Sequence, residues 1–123
     1  MNSAATGFVY FVGVLHVWFL VFEAFLWTSP LALKALRMTA EVAETSKVLA
    51  MNQGLYNGFL AAGLFWAAYT GDLKLNFFFL CCVIVAGIVG AITASKNIFF
   101  IQALPAIIAL VLVVLRAKAE GSL

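Results

Sequence analysis

An all-α fold, a transmembrane four-helix bundle with a short interfacial amphipathic helix between spans one and two, is the class this sequence predicts. Composition is the first reason. Of 123 residues, 66% are hydrophobic and only 10% are charged, against about 25% charged in a soluble domain, and the mean hydropathy is +1.13. Length is the second, because spans of roughly 20 residues each use most of the chain on four helices. Punctuation is the third: the apolar runs are separated by "TSP", "YTGD" and "SKN", short polar or Pro/Gly breaks that read as helix ends and turns. The expectation is one transmembrane domain over residues 1–123 with spans at about 7–27, 48–70, 75–94 and 98–115.

The opening "MNSAATGFVY" carries no basic segment, and the apolar run that follows is of full span length without a small-residue cleavage signature, so it reads as a retained first helix. That span ends at "TSP", where Pro30 suits the first position of a new helix. "LALKALRM" then reads as an interfacial helix, with Leu31, Leu33 and Leu36 toward lipid and Lys34 and Arg37 toward water. Thr39 is a candidate N-cap for the next helix, and Glu41 and Glu44 in its first turns complement the helix dipole. Gly71-Asp72 marks the next turn and Ser95–Asn97 the last.

Trp27 at one end of span one, and Trp66 and Tyr69 at the opposite end of span two, fit interfacial aromatic belts, whereas Trp18 falls mid-span and reads as packing. The face holding the first and third loops carries Lys34, Arg37, Lys47 and Lys96, and the other face Lys74, Arg116 and Lys118. By the positive-inside rule this places both termini outside, in the cell (inner) membrane, by a margin of one charge that also permits dual topology. The formal net charge of +2 is too small to argue for a nucleic-acid partner.

Within "LHVWFLVFEAFLW" only His16 and Glu23 can carry charge. Residues seven apart differ by about 20° in azimuth on a helix, so the two share a face, about 10 Å apart along the axis. Glu23 lies about one turn from the face that carries the first loop. Span two enters from that face with Asn52, Gln53, Tyr56 and Asn57, span four enters with Gln102 followed by Pro105, and span three leaves through Thr93 and Ser95. Uncharged hydrogen-bonding groups from three spans therefore reach the depth of Glu23. Any one amide is equally explained by helix–helix hydrogen bonding, worth about 0.6 kcal/mol on average in membranes. The acid differs, since an Asp- or Glu-type charge at the centre of hydrocarbon costs about 2.5 kcal/mol or more, which favours function over decoration.

An acid flanked by neutral amides and a histidine can act as a general acid/base or as the counter-ion of a cationic ligand. The expected catalytic pair is Glu23 and His16, with Asn52, Gln53, Tyr56, Asn57 and Gln102 binding the ligand. One function class is a membrane enzyme that acts on a small lipophilic molecule by isomerase- or cyclase-like proton transfer. A second is a proton-coupled transporter of small molecules or hydrophobic cations, working as a homodimer. A third is an accessory subunit in which the cluster only fixes packing. Cys81-Cys82 are adjacent and read as small buried hydrophobes. His16 and Glu23 lack a third metal ligand at matching depth, and no phosphate loop, nucleophile elbow or cofactor fingerprint is present, so neither metal nor cofactor is expected. Gly54-x-x-x-Gly58-x-x-x-Ala62 and Ala86-x-x-x-Gly90-x-x-x-Ala94 are seams of small residues suited to close helix approach.

"HVWFLVFEAFLW", "VLAMNQGLYNGFLAAGLFW", "VIVAGIVGAITASK" and "IQALPAIIAL" together resemble the domain-of-unknown-function family DUF1304 over nearly the whole chain. The most specific parts are the His16 and Glu23 pair, the "NQGLYNGFLA" block and Gln102-x-x-Pro105-Ala106. The resemblance implies a small four-span integral membrane protein and no particular activity.

Overall fold

The computed structural model describes residues 3–123, which form helices and turns only. In chain order they are α1 (Ser3–Phe25), α2 (Pro30–Leu36), α3 (Ala40–Thr70), α4 (Leu73–Thr93), a π-helical turn (Phe99–Ala103) and α5 (Leu104–Ala119). The chain divides into two compact units, one of Val14–Ala61 and the other of Met1–Gly13 with Ala62–Leu123.

In the Val14–Ala61 unit, α1 closes where the Leu26 amide donates to the carbonyls of Val21 and Phe22. Ser29 then caps α2, its hydroxyl donating to Leu26 O at 2.6 Å and accepting from the Ala32 amide, and Pro30 takes the first helical position. Proline fits there because that amide would have no helical partner anyway. Arg37, at φ +52°, ends α2 in the left-handed region. Thr39 caps α3 as expected, its Oγ1 accepting from the Val42 amide at 3.1 Å. Leu31 and Leu36 are exposed on α2 together with Lys34 and Arg37, Leu33 is half-buried and Ala32 is buried, so exposure does not separate the expected apolar and charged sides. Trp27 differs from a free interfacial anchor, because its indole N–H donates to Ser46 Oγ at 2.9 Å. Trp18 also differs from the packing role expected of it: it is half-exposed and its ring lies tilted on Phe22.

In the other unit, Gly71 adopts φ +68°, the turn conformation that favours glycine, and Asp72 caps α4 by accepting from the Leu75 amide at 3.0 Å. Asn76 staples this turn, donating to both Ala67 O and Asp72 O. The inward stripe of α4 is Asn76, Leu80, Val83 and Gly87, at the alternating three- and four-residue spacing of a helix face. It faces α5 and the π-helical turn, whose own stripe is Ala103, Ala106, Ala109, Val113, Arg116 and Ala117. The small-residue seam of α4 is therefore shifted from the one expected. Gly87 and Gly90 meet Ala103 and Ile98, whereas Ala86 and Ala94 are exposed.

The wide turn has a local cause. Pro105 has no amide proton and its ring would crowd the carbonyl four residues earlier in a regular helix. Here the Leu104 amide reaches back to Phe99 O, the five-residue step of a π turn, which opens the helix beside the proline. The helix also runs further than expected, to Ala119, so Arg116 lies inside its last turn rather than in a polar tail.

Candidate functional site

Glu23 is placed by α1, whose buried stripe Val9, Val12 and His16 brings the acid, seven residues beyond His16, onto the same side. It is the one carboxylate in α1 and sits in the last turn of that helix. Across from it α3 presents Ala43, Ser46, Ala50, Gly54, Asn57 and Ala61, again at helical spacing, with Gly54 against Ala24 and Leu20 and Gly58 against Leu20. Small residues let the two backbones approach, so a short amide side chain can span the gap. Asn57 Nδ2 donates to Glu23 Oε1 at 2.5 Å.

The other carboxyl oxygen of Glu23 has no hydrogen-bond partner among the described residues, and the residue is half-buried. Glu23 borders two small depressions of about 140 and 150 Å³ at the α1–α3 contact. One is lined by Glu23, Trp27, Thr28, Lys47, Val48 and Met51, among others. The other is lined by Glu23, Trp27, Ser46, Leu49, Ala50 and Gln53. Lys47 is paired with Glu44 on the exposed side of α3, and among the described residues no cation forms an ion pair with Glu23. An unshared carboxyl oxygen can accept from a hydroxyl or ammonium group, or exchange a proton with it.

The structure thus brings Glu23, Asn57 and Gln53 together. His16 is fully buried, its ring edge-on to Phe19 at 5.0 Å. Asn52 and Tyr56 are exposed and line neither depression; Tyr56, 65% exposed, packs edge-on against Phe59. Gln102 lies in the π-helical turn of the other unit. Ser46 and Trp27, which sequence reasoning left out of the site, line it and are hydrogen-bonded to each other. The spacing of Ser46, Ala50 and Asn57 on one helical face was the available signal. Cys81 and Cys82 are free thiols, half-buried rather than enclosed.

Among the described residues three helices are long and apolar enough to cross a membrane, Ala4–Phe25, Leu73–Thr93 and Phe99–Ala119. The class this defines is an all-helical protein consistent with an integral membrane location, its one α1 carboxylate within the first of these helices. The chain belongs to the family described as protein of unknown function (DUF1304), whose profile matches residues 10–114. It is similar to "Uncharacterized protein YpaA" of Lactococcus lactis subsp. lactis (strain IL1403), 32% identical over 93 residues, covering 72% of this chain and 78% of the relative. No solved structure matches the chain.

Proposed function

We propose that the chain is a four-span membrane protein whose α1–α3 groove binds a small lipophilic molecule bearing a hydroxyl or cationic group, with Glu23 as the acceptor and proton-exchanging group. Asn57 orients the carboxyl and Gln53 lies on the wall that the ligand's polar end would meet. The observation that carries this reading is the half-used carboxylate beside a depression: one oxygen is held by Asn57, the other has no hydrogen-bond partner among the described residues, and Glu23 lines the depression. The second span of the bundle is the apolar half of α3, which falls outside the three membrane-length helices because Asn52, Gln53 and Asn57 lower its hydropathy. Those same polar residues are what a ligand site needs there.

The test is extraction and mass spectrometry of lipophilic compounds that co-purify with the wild type, with Glu23→Gln and with Asn57→Ala in a neutral detergent. A compound enriched on the wild type and lost from Glu23→Gln is expected. Identical extracts, together with a lowered unfolding temperature for Glu23→Gln, would leave an accessory role and refute the binding reading. Proton-coupled cation flux in liposomes that disappears in Glu23→Gln would assign the groove to transport instead of acid/base catalysis.

A further inference from the structure

Arg116 sits on the inward stripe of α5 and is only 6% exposed. An arginine near the end of an apolar helix ordinarily snorkels, burying its stem and extending its head to water, as the exposed Lys118 two residues on is free to do. Arg116 turns inward instead. Its Nη1 donates to Thr6 Oγ1 at 3.3 Å, a long bond to a neutral acceptor, and among the described residues no carboxylate forms an ion pair with it. Among the described residues its other nitrogens have no protein acceptor.

A guanidinium carries five N–H donors in a planar fork and keeps its charge. Withdrawing such a group from water without a counter-charge costs several kcal/mol. Neither Asp72, which caps α4, nor Glu120, exposed beyond the end of α5, forms an ion pair with it. Among the described residues none forms an ion pair with Arg116, and a counter-charge from outside the chain would meet this need. Arg116 lies in the last turn of a membrane-length helix, the depth at which a bilayer presents its phosphates, and a fork of free N–H donors is the geometry that phosphate oxygens accept. The exposed Lys118 and Lys74 add positive charge at this end of the unit.

The geometry points to a phosphate-binding site at the Thr6–Arg116 end of the unit formed by Met1–Gly13 and Ala62–Leu123, in which the Arg116 fork takes the phosphate of a lipid headgroup or a free phosphate ion. This site does not depend on the Glu23 groove. The full chain in neutral detergent is titrated with dioctanoyl-phosphatidylglycerol, with dioctanoylglycerol, which lacks the phosphate, and with inorganic phosphate, following retention by native mass spectrometry and the shift in unfolding temperature. Phosphatidylglycerol should be retained and stabilising and dioctanoylglycerol should not. Arg116→Gln should weaken retention by roughly 10- to 100-fold, the equivalent of a charge-assisted hydrogen bond, while Lys118→Gln leaves it within a few-fold. Inorganic phosphate matching phosphatidylglycerol would name a free phosphate as the occupant, and phosphatidylglycerol alone would name the lipid headgroup. Equal retention of dioctanoylglycerol by the wild type overturns the proposal even where Arg116→Gln cannot be recovered folded, and so does unchanged affinity in a folded Arg116→Gln.

Discussion

A Cβ added to Gly54 would stand 3.1 Å from the backbone nitrogen of Ala24 and 3.1 Å from the carbonyl oxygen of Leu20, so α3 meets α1 backbone to backbone at that level. Neither atom can rotate away. Gly54→Ala should therefore force the helices apart and destabilise by about 1–3 kcal/mol, the usual cost of overpacking. At Gly58 the nearest atoms are the Leu20 methyls, 3.5 Å away, so Gly58→Ala should be close to neutral. Thermal unfolding of both variants in one detergent checks the contrast, and equal losses would contradict it.

The same geometry governs the Glu23–Asn57 contact, because the bond reaches only as far as the glycine seam allows. A double-mutant cycle with Glu23→Gln and Asn57→Ala should give a coupling of about 0.6–1.7 kcal/mol, the range for hydrogen bonds between membrane helices. Gly54→Ala in the background should reduce that coupling. A cycle that stays additive in the wild-type background would mean the bond does not form in the folded protein.

At the α4 contact the closest approach is again to backbone. A Cβ on Gly87 would lie 2.6 Å from the Ala103 nitrogen, whereas one on Gly90 would meet the Ile98 side chain at 2.9 Å. Ile98 can change rotamer and the Ala103 backbone cannot. Gly87→Ala is expected to lower the unfolding temperature severely and Gly90→Ala mildly, with Ile98→Ala relieving the second and leaving the first unchanged.

Helix capping gives an independent check on local structure. Thr39→Ala and Asp72→Ala each remove a side-chain acceptor from a first-turn amide and should each cost about 1 kcal/mol. Amide hydrogen exchange should show faster exchange confined to the first turn of α3 or α4, respectively. Exchange that speeds up throughout the helix would indicate a role beyond the cap.

Helix ends were legible because each rests on local chemistry: Pro30 at a helix start, Thr39 as a cap and Gly71 in a turn need only their neighbours. Position along the helices was legible too: counting residues from the turns brings Glu23 to the level of Gln53 and Asn57. Azimuth was not. Residues 52 and 56 differ from 53 and 57 by one helical step of about 100°, and packing against α1 decides that 57 turns toward it and that 53, itself exposed, edges a depression. Because α3 carries small or polar residues around much of its circumference in this stretch, its sequence favours no side strongly, and Asn52 and Tyr56 were assigned to a site that they do not line. Arg116 was misread for a related reason. A charge that follows an apolar run reads as an exit to water, and the three- and four-residue rhythm from Ala106 through Val113 that turns it inward becomes decisive only once the helix is known to continue to Ala119.

The wide turn at Phe99–Ala103 sets the phase of everything that follows. An extra residue is accommodated there, and deleting one residue from the turn, with Pro105 replaced by alanine so that a regular helix can form, would wind α5 back by about 100° relative to α4. Ala106, Ala109 and Val113 would roll out of the buried stripe and the guanidinium of Arg116 would swing to the periphery. That small irregularity acts as a clutch, determining which side of the last helix meets α4.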